Sequence, residues 1–160
     1  YIKSVAEWYP IAGSIEAIAR LSKEGWRVFI ATNQSAIGRG YMDINSLSEI
    51  HDRLRSLCME IGGYIEGIEY APEHPDHASE RRKPNPGMLK DIAQRLKITL
   101  ENVPFVGDSW TDILAARAAG AIPVLVKTGN GDRTAVSHSM DGVMVYSSLA
   151  EFASILLAKK

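Results

Sequence analysis

The chain has 160 residues, 46% of them hydrophobic and 23% charged, with a formal net charge of −1. That suffices for one domain with its own core, and it supplies no field to draw nucleic acid or an anionic membrane, so any anion site must be local. Apolar runs such as Ala121 to Val126 fall far short of a membrane span, and a lone cysteine, Cys58, excludes an intrachain disulfide and suits a reducing compartment.

In chain order, Ser14 is expected to cap a helix running to about Lys23. Ile15, Ile18, Ala19 and Leu21 form its apolar face, and Gly25 closes it. Arg27 to Thr32 reads as a short strand too apolar to lie at a sheet edge. From Ile44 to about Ile61, the spacing of Leu47, Ile50, Leu54, Leu57 and Cys58 predicts a long amphipathic helix in which the thiol is a small apolar group. Ile65 to Tyr70 reads as a second strand, Gly87 to Leu96 as a helix and Val103 to Val106 as a third strand. A helix follows from about Trp110 to Ala119, ended by Gly120. Ile122 to Val126 and Val143 to Tyr146 are strands four and five, and Ser148 to Ala158 is a terminal helix. Strands alternating with helices imply a single α/β domain, a parallel sheet sandwiched by helices.

Ligands of such sheets bind where the strands end. Three strand ends carry unusual residues. After Ile30 come Thr32, Asn33, Gln34 and Ser35, neutral donors that suit phosphate oxygens and serve equally to close an ordinary turn. Gly107-Asp108-Ser109-Trp110-Thr111-Asp112 opens a helix with two acids one turn apart. Such a pair stays ionised beside a cation, either a hard ion such as Mg²⁺ or a lysine. Asp108 or Ser109 can also act simply as a helix cap. Arg81-Arg82-Lys83-Pro84-Asn85-Pro86-Gly87 supplies the cations, with Lys83 held by a stiff proline loop. The wider stretch Glu73 to Met88 holds two histidines, three carboxylates and three consecutive cations. Metal loop, phosphate loop and solvated connection all remain open for it. Taken together, donors, acids and a fixed lysine at three strand ends read as a phosphate site with a divalent metal.

These residues, in this order, resemble the haloacid dehalogenase superfamily of phosphotransferases: Thr32 its second motif, Lys83 its third, and Gly107-Asp108-Ser109 with Asp112 its fourth. Further stretches resemble its heptose-bisphosphate phosphatases, with histidinol-phosphate phosphatases as close relatives. They are Tyr1-Ile-Lys-Ser4, Glu7-Trp8, Pro10-Ile11, Gly13 to Leu21, Ala31 to Ser35, Ile37 to Gly40 and Arg82 to Met88. The resemblance implies a Rossmann-like fold without a large cap domain and a cytoplasmic, Mg²⁺-dependent enzyme of lipopolysaccharide-core sugar synthesis. The expected enzyme is a monomer acting on a small sugar phosphate, with no nucleic-acid or membrane partner. Carried over, Thr32 and Lys83 are the catalytic residues on this chain. Thr32, Asn33, Gln34, Ser35, Arg39, Arg82, Lys83 and Ser109 bind substrate, Asp108 ligates Mg²⁺, and Asp112 supports Lys83. Arg39 is the expected contact to a second phosphate.

The sequence departs from the resemblance in two respects. Relatives commonly carry a zinc loop before Arg-Lys-Pro, but its ligand positions are here Ala71, Glu73, Ser79 and Arg81, so no zinc is expected. The superfamily's nucleophile and general acid stand in an Asp-x-Asp motif, and none occurs among the 160 residues. Its strand is expected upstream of Tyr1, in the middle of the sheet. A non-catalytic phosphate-binding module and a response-regulator-like switch are the alternatives to a phosphatase.

Overall fold

The computed structural model describes residues 1–159. Five parallel strands alternate with helices: β1 (Phe29–Asn33), β2 (Gly67–Ala71), β3 (Pro104–Gly107), β4 (Ile122–Val126) and β5 (Met144–Tyr146). The helices are α1 (Ser14–Lys23), α2 (Ser35–Gly38), α3 (Ile44–Glu60), α4 (Gly87–Leu96), α5 (Trp110–Ala119), α6 (Gly131–Ser137) and α7 (Leu149–Ala158). No helix among the described residues is long and apolar enough to cross a membrane.

Local chemistry sets most of the boundaries. α4 begins directly after Pro86, and α5 ends at Gly120, whose left-handed φ of 79° terminates a helix at no steric cost. Asp43 caps α3 by accepting from Ser46 N–H, and Ser148 caps α7 by accepting from Glu151 N–H. Ser14 differs from its expected place. Gly13, with φ 84°, precedes the helix, and Ser14 is the first helical residue with no cap bond from its side chain. α2 and α6 have no counterpart in the hydrophobic pattern, because helices of 4 and 7 residues are too short to show one.

Among the described residues the strands form two sheets, β1–β2 and β3–β4–β5. β1 pairs with β2 from Phe29 with Gly67 to Asn33 with Ala71. β1 and β3 face each other across a groove instead of a hydrogen-bonded ladder. On one side of it Ile18 and Leu21 of α1 and Phe152 and Leu156 of α7 enclose a cavity of about 250 Å³. On the other side Leu89, Ile92 and Leu96 of α4 line one of about 270 Å³. The expectation that the Arg27–Thr32 strand would not be an edge therefore meets a mixed outcome. β1 is paired on one flank, and its other flank looks into an apolar groove rather than into water.

The core lies in patches on either side of this divided sheet. Ile15, Ile18, Ala19, Cys58 and Ile65 pack α1 against α3 and the start of β2. Met88, Leu89, Leu100 and Ala116 pack α4 against α5. Fully burying a Leu or Met side chain stabilises by about 1.5–3 kcal/mol, so these patches hold the strand ends in register. Cys58 is buried, and that burial raises its thiol pKa, as expected of a packing residue.

Candidate functional site

Lys83 is the centre of the site. It is one of four buried polar or charged residues among those described, only 9% exposed. Its ammonium donates to Asp112 Oδ1 at 2.6 Å and to the Ala31 carbonyl of β1 at 2.9 Å. It also lies 5.6 Å above the Phe105 ring of β3, so it spans the mouth of the groove between β1 and β3. The Lys83 main chain is clamped as well. Asn33 Nδ2 donates to Lys83 O at 2.9 Å, and Lys83 N–H donates to Asn33 Oδ1 at 3.0 Å. Asn33, expected at the substrate, therefore has both amide atoms engaged in holding Lys83.

Asp112 organises the other half. Its Oδ2 accepts from the N–H groups of Asp108 and Ser109 at 3.1 and 3.2 Å, while its own N–H donates to Ser109 Oγ. Ser109 and Asp112 thus form a reciprocal capping box at the start of α5. Helix cap and lysine partner turn out to be the same carboxylate. Gly107 makes the arrangement possible: a Cβ there would lie 2.2 Å from Asp112 Oδ2. Ser109 Oγ also shares a hydrogen bond of 2.8 Å with Thr111.

Asp108, at the end of β3, is half-buried and turned toward the loop after β4. Its Oδ2 accepts from Asn130 N–H at 2.8 Å, which leaves Oδ1 as the oxygen available to a cation. A single free carboxylate fits one side of a Mg²⁺ site, which wants six oxygens. Among the described residues no group of three His, Cys, Asp or Glu side chains could hold a metal by itself. Sequence reasoning assigned no role to Asn130 or to Thr134 beyond it. The available signal was Thr128-Gly129-Asn130-Gly131, a glycine-rich turn at the carboxyl end of a strand.

The remaining candidates surround this centre unequally. Thr32 is the penultimate residue of β1, and its hydroxyl accepts from Gln34 Nε2 at 3.1 Å. Gln34 N–H donates to Ala71 O at 2.8 Å, and Ser35 is buried as the first residue of α2. Arg82 reaches the Glu73 carbonyl at 3.4 Å. Arg39 lies at the end of α2, with its guanidinium 5.4 Å from the Tyr1 ring centroid.

The loop between β2 and α4 is pinned by charge. Arg81 pairs with Glu69 Oε2 at 2.9 Å and with Asp91, and Arg95 also pairs with Glu69. Burial acts to raise the Glu69 carboxyl, but the two guanidiniums outweigh it and hold it below its usual value. A carboxylate lowered on folding adds stability at neutral pH and loses it as pH falls through the lowered value. Of the positions that carry zinc ligands in the resemblance, Ala71 is buried at the end of β2, Ser79 Oγ accepts from Arg81 N–H, and Arg81 is a cation. Elemental analysis of protein purified without added metal is expected to find less than stoichiometric zinc. One zinc per chain would overturn that expectation, since structural zinc needs four Cys, His or carboxylate ligands.

Residues 80–152 match a family model described as HAD-hydrolase-like. The chain is 50% identical over 157 residues to D-glycero-beta-D-manno-heptose-1,7-bisphosphate 7-phosphatase of Pseudomonas putida, covering 98% of this chain and 90% of that protein. It is 43% identical to the enzyme of the same name from Bordetella bronchiseptica, covering 98% and 88%. The crystal structure of the B. bronchiseptica D,D-heptose 1,7-bisphosphate phosphatase, complexed with magnesium and phosphate, superposes with a TM-score of 0.97 at 42% identity, covering 100% of this chain and 90% of that one. The Burkholderia thailandensis enzyme gives 0.75 at 36% identity, covering 96% and 90%.

Proposed function

Because the chain belongs to the HAD-like phosphatase family, we propose that it acts as a Mg²⁺-dependent phosphatase of D-glycero-D-manno-heptose 1,7-bisphosphate, removing the 7-phosphate. The observation that carries this reading is the buried Lys83–Asp112 pair, set between the ends of β1 and β3 beside Asp108. A fixed ammonium at strand ends neutralises the charge that grows on a phosphoryl group during transfer. Thr32 and the backbone N–H groups after β1 receive the phosphoryl oxygens, and Arg82 with Ser109 faces the rest of the substrate. Gln34, Ser35 and Arg39 complete the wall on the α2 side, with Arg39 as the contact to the distal phosphate. Asp108 holds Mg²⁺, which when bound shields phosphoryl charge. No zinc is involved.

The nucleophile and general acid belong, in this reading, to an Asp-x-Asp strand preceding Tyr1 and lying in the groove between β1 and β3. The open flanks of both strands and the apolar cavities on either side suit an extended apolar segment. Its first aspartate attacks phosphorus and the P–O bond to the sugar breaks. The second protonates the leaving oxygen, and water then hydrolyses the acyl phosphate to free phosphate. A monomer in the cytoplasm, serving lipopolysaccharide-core heptose synthesis, completes the proposal as the family resemblance implies it.

Phosphate release from a panel of heptose bisphosphate, other sugar phosphates and histidinol phosphate tests this reading. Protein with an Asp-x-Asp strand upstream is expected to prefer the heptose bisphosphate. Residues 1–160 alone are expected to bind Mg²⁺ feebly and release no phosphate, because one carboxylate plus water makes a weak site. Ordinary turnover by residues 1–160 would place the nucleophile within this sequence. Preference for histidinol phosphate would reassign the substrate, and no turnover by either form would favour a binding module.

A further inference from the structure

We infer that Thr134, with the Gly129–Asn130 turn, is a positioning residue for the metal carboxylate Asp108; the inference rests on the phosphatase reading of that site. Thr134 lies on α6, 26 residues from Asp108, and is 7% exposed. Its hydroxyl donates to the Asp108 carbonyl at 2.8 Å. The Asn130 carbonyl, one turn back along the helix, lies farther at 3.1 Å, so the shorter of the two contacts of this hydroxyl is the one to Asp108. A threonine inside a helix ordinarily bonds back to its own turn, and this one in addition reaches out to another element.

The same loop holds the Asp108 side chain. Asn130 N–H donates to Oδ2 at 2.8 Å, while Gly129 (φ 59°) passes so close that a Cβ would lie 2.3 Å from that oxygen. Asp108 is therefore gripped at its main-chain carbonyl by Thr134 and at one carboxylate oxygen by Asn130. With both points fixed, Oδ1 has one direction in which to face a cation. A buried polar side chain engaged in this way is costly to replace, because an unpaired carbonyl would remain. Partners that orient a metal ligand typically influence metal affinity ten- to a hundredfold.

Calorimetric titration of Mg²⁺ into the phosphatase-competent enzyme tests the assignment. Thr134→Val keeps the side-chain volume and removes the donor, so Mg²⁺ Kd is expected to rise about tenfold. Thr134→Ser, which keeps the hydroxyl, is expected to restore it. Saturating Mg²⁺ should return most of the kcat of Thr134→Val, which a merely structural role would not allow. Thr134→Val binding Mg²⁺ as tightly as the parent overturns the inference. Should Thr134→Val fail to fold, Gly129→Ala is the second arm: its Cβ must displace the Asp108 carboxylate, and unchanged Mg²⁺ affinity there overturns the inference as well. A parent that binds no Mg²⁺ sinks the metal reading of Asp108 and this inference with it.

Discussion

Lys83→Ala in the catalytically competent enzyme is expected to reduce kcat by at least 10²-fold while the circular-dichroism spectrum stays unchanged. Removing one preorganised charge from a phosphoryl site costs about 3 kcal/mol of transition-state stabilisation. Lys83→Ala also leaves Asp112 Oδ1 and the Ala31 carbonyl without their partner, which lowers stability, but the backbone fold keeps its other supports. Asp112 keeps its bonds from the Asp108 and Ser109 N–H groups and still caps α5. Asn33 binds the main chain at position 83, which alanine retains. The loss should appear in kcat more than in KM, because the ammonium acts on charge that develops in the transition state. Near-normal kcat with an intact spectrum would reduce Lys83 to a structural cation.

Asp112→Ala is expected to behave differently, lowering stability as well as activity. The Lys83 and Asp112 side chains are only 10% and 9% exposed, so solvent screens their attraction little. Breaking a buried pair from one side leaves an uncompensated charge and costs about 3–5 kcal/mol. The same substitution frees two backbone donors and dismantles the capping box of α5. For a domain of this size the midpoint of thermal unfolding should fall on the order of 10 °C. A Lys83→Met, Asp112→Leu double variant replaces both charges with apolar volume and should regain part of that stability while remaining inactive. A single Asp112→Ala variant as stable as the parent would show that the pair contributes nothing to the fold.

The local order of elements was legible because each rests on a few consecutive residues. The Gly87–Leu96 and Trp110–Ala119 helices and the Ile122–Val126 strand have the bounds their spacing, Pro86 and Gly120 dictate. The residue types of the three candidate places were equally legible, since an acid pair and a run of neutral donors follow a strand and a lysine leads into a proline-rich turn before a helix in the sequence itself. Parallel connections bring such ends to one edge of the fold.

What the sequence could not determine depends on contacts between distant segments. Asn33 carries an amide that suits a sugar hydroxyl, and only the approach of Lys83, 50 residues away, engages both of its atoms. Asp112 is expected only as the partner of Lys83, with Asp108 or Ser109 as the possible cap, and the fold gives Asp112 a share in the capping box as well, while the loop before α4 lowers Lys83 onto the start of α5. Thr134 has the identity of any helical threonine; the turn of the chain at Gly129 and Gly131 is what carries its hydroxyl to the Asp108 carbonyl. The groove between β1 and β3 is likewise invisible in either strand alone, since each reads as an ordinary buried strand. Hydrogen-bond partners and strand neighbours are fixed by where packing brings the backbone, and no local pattern of residue types encodes that distance.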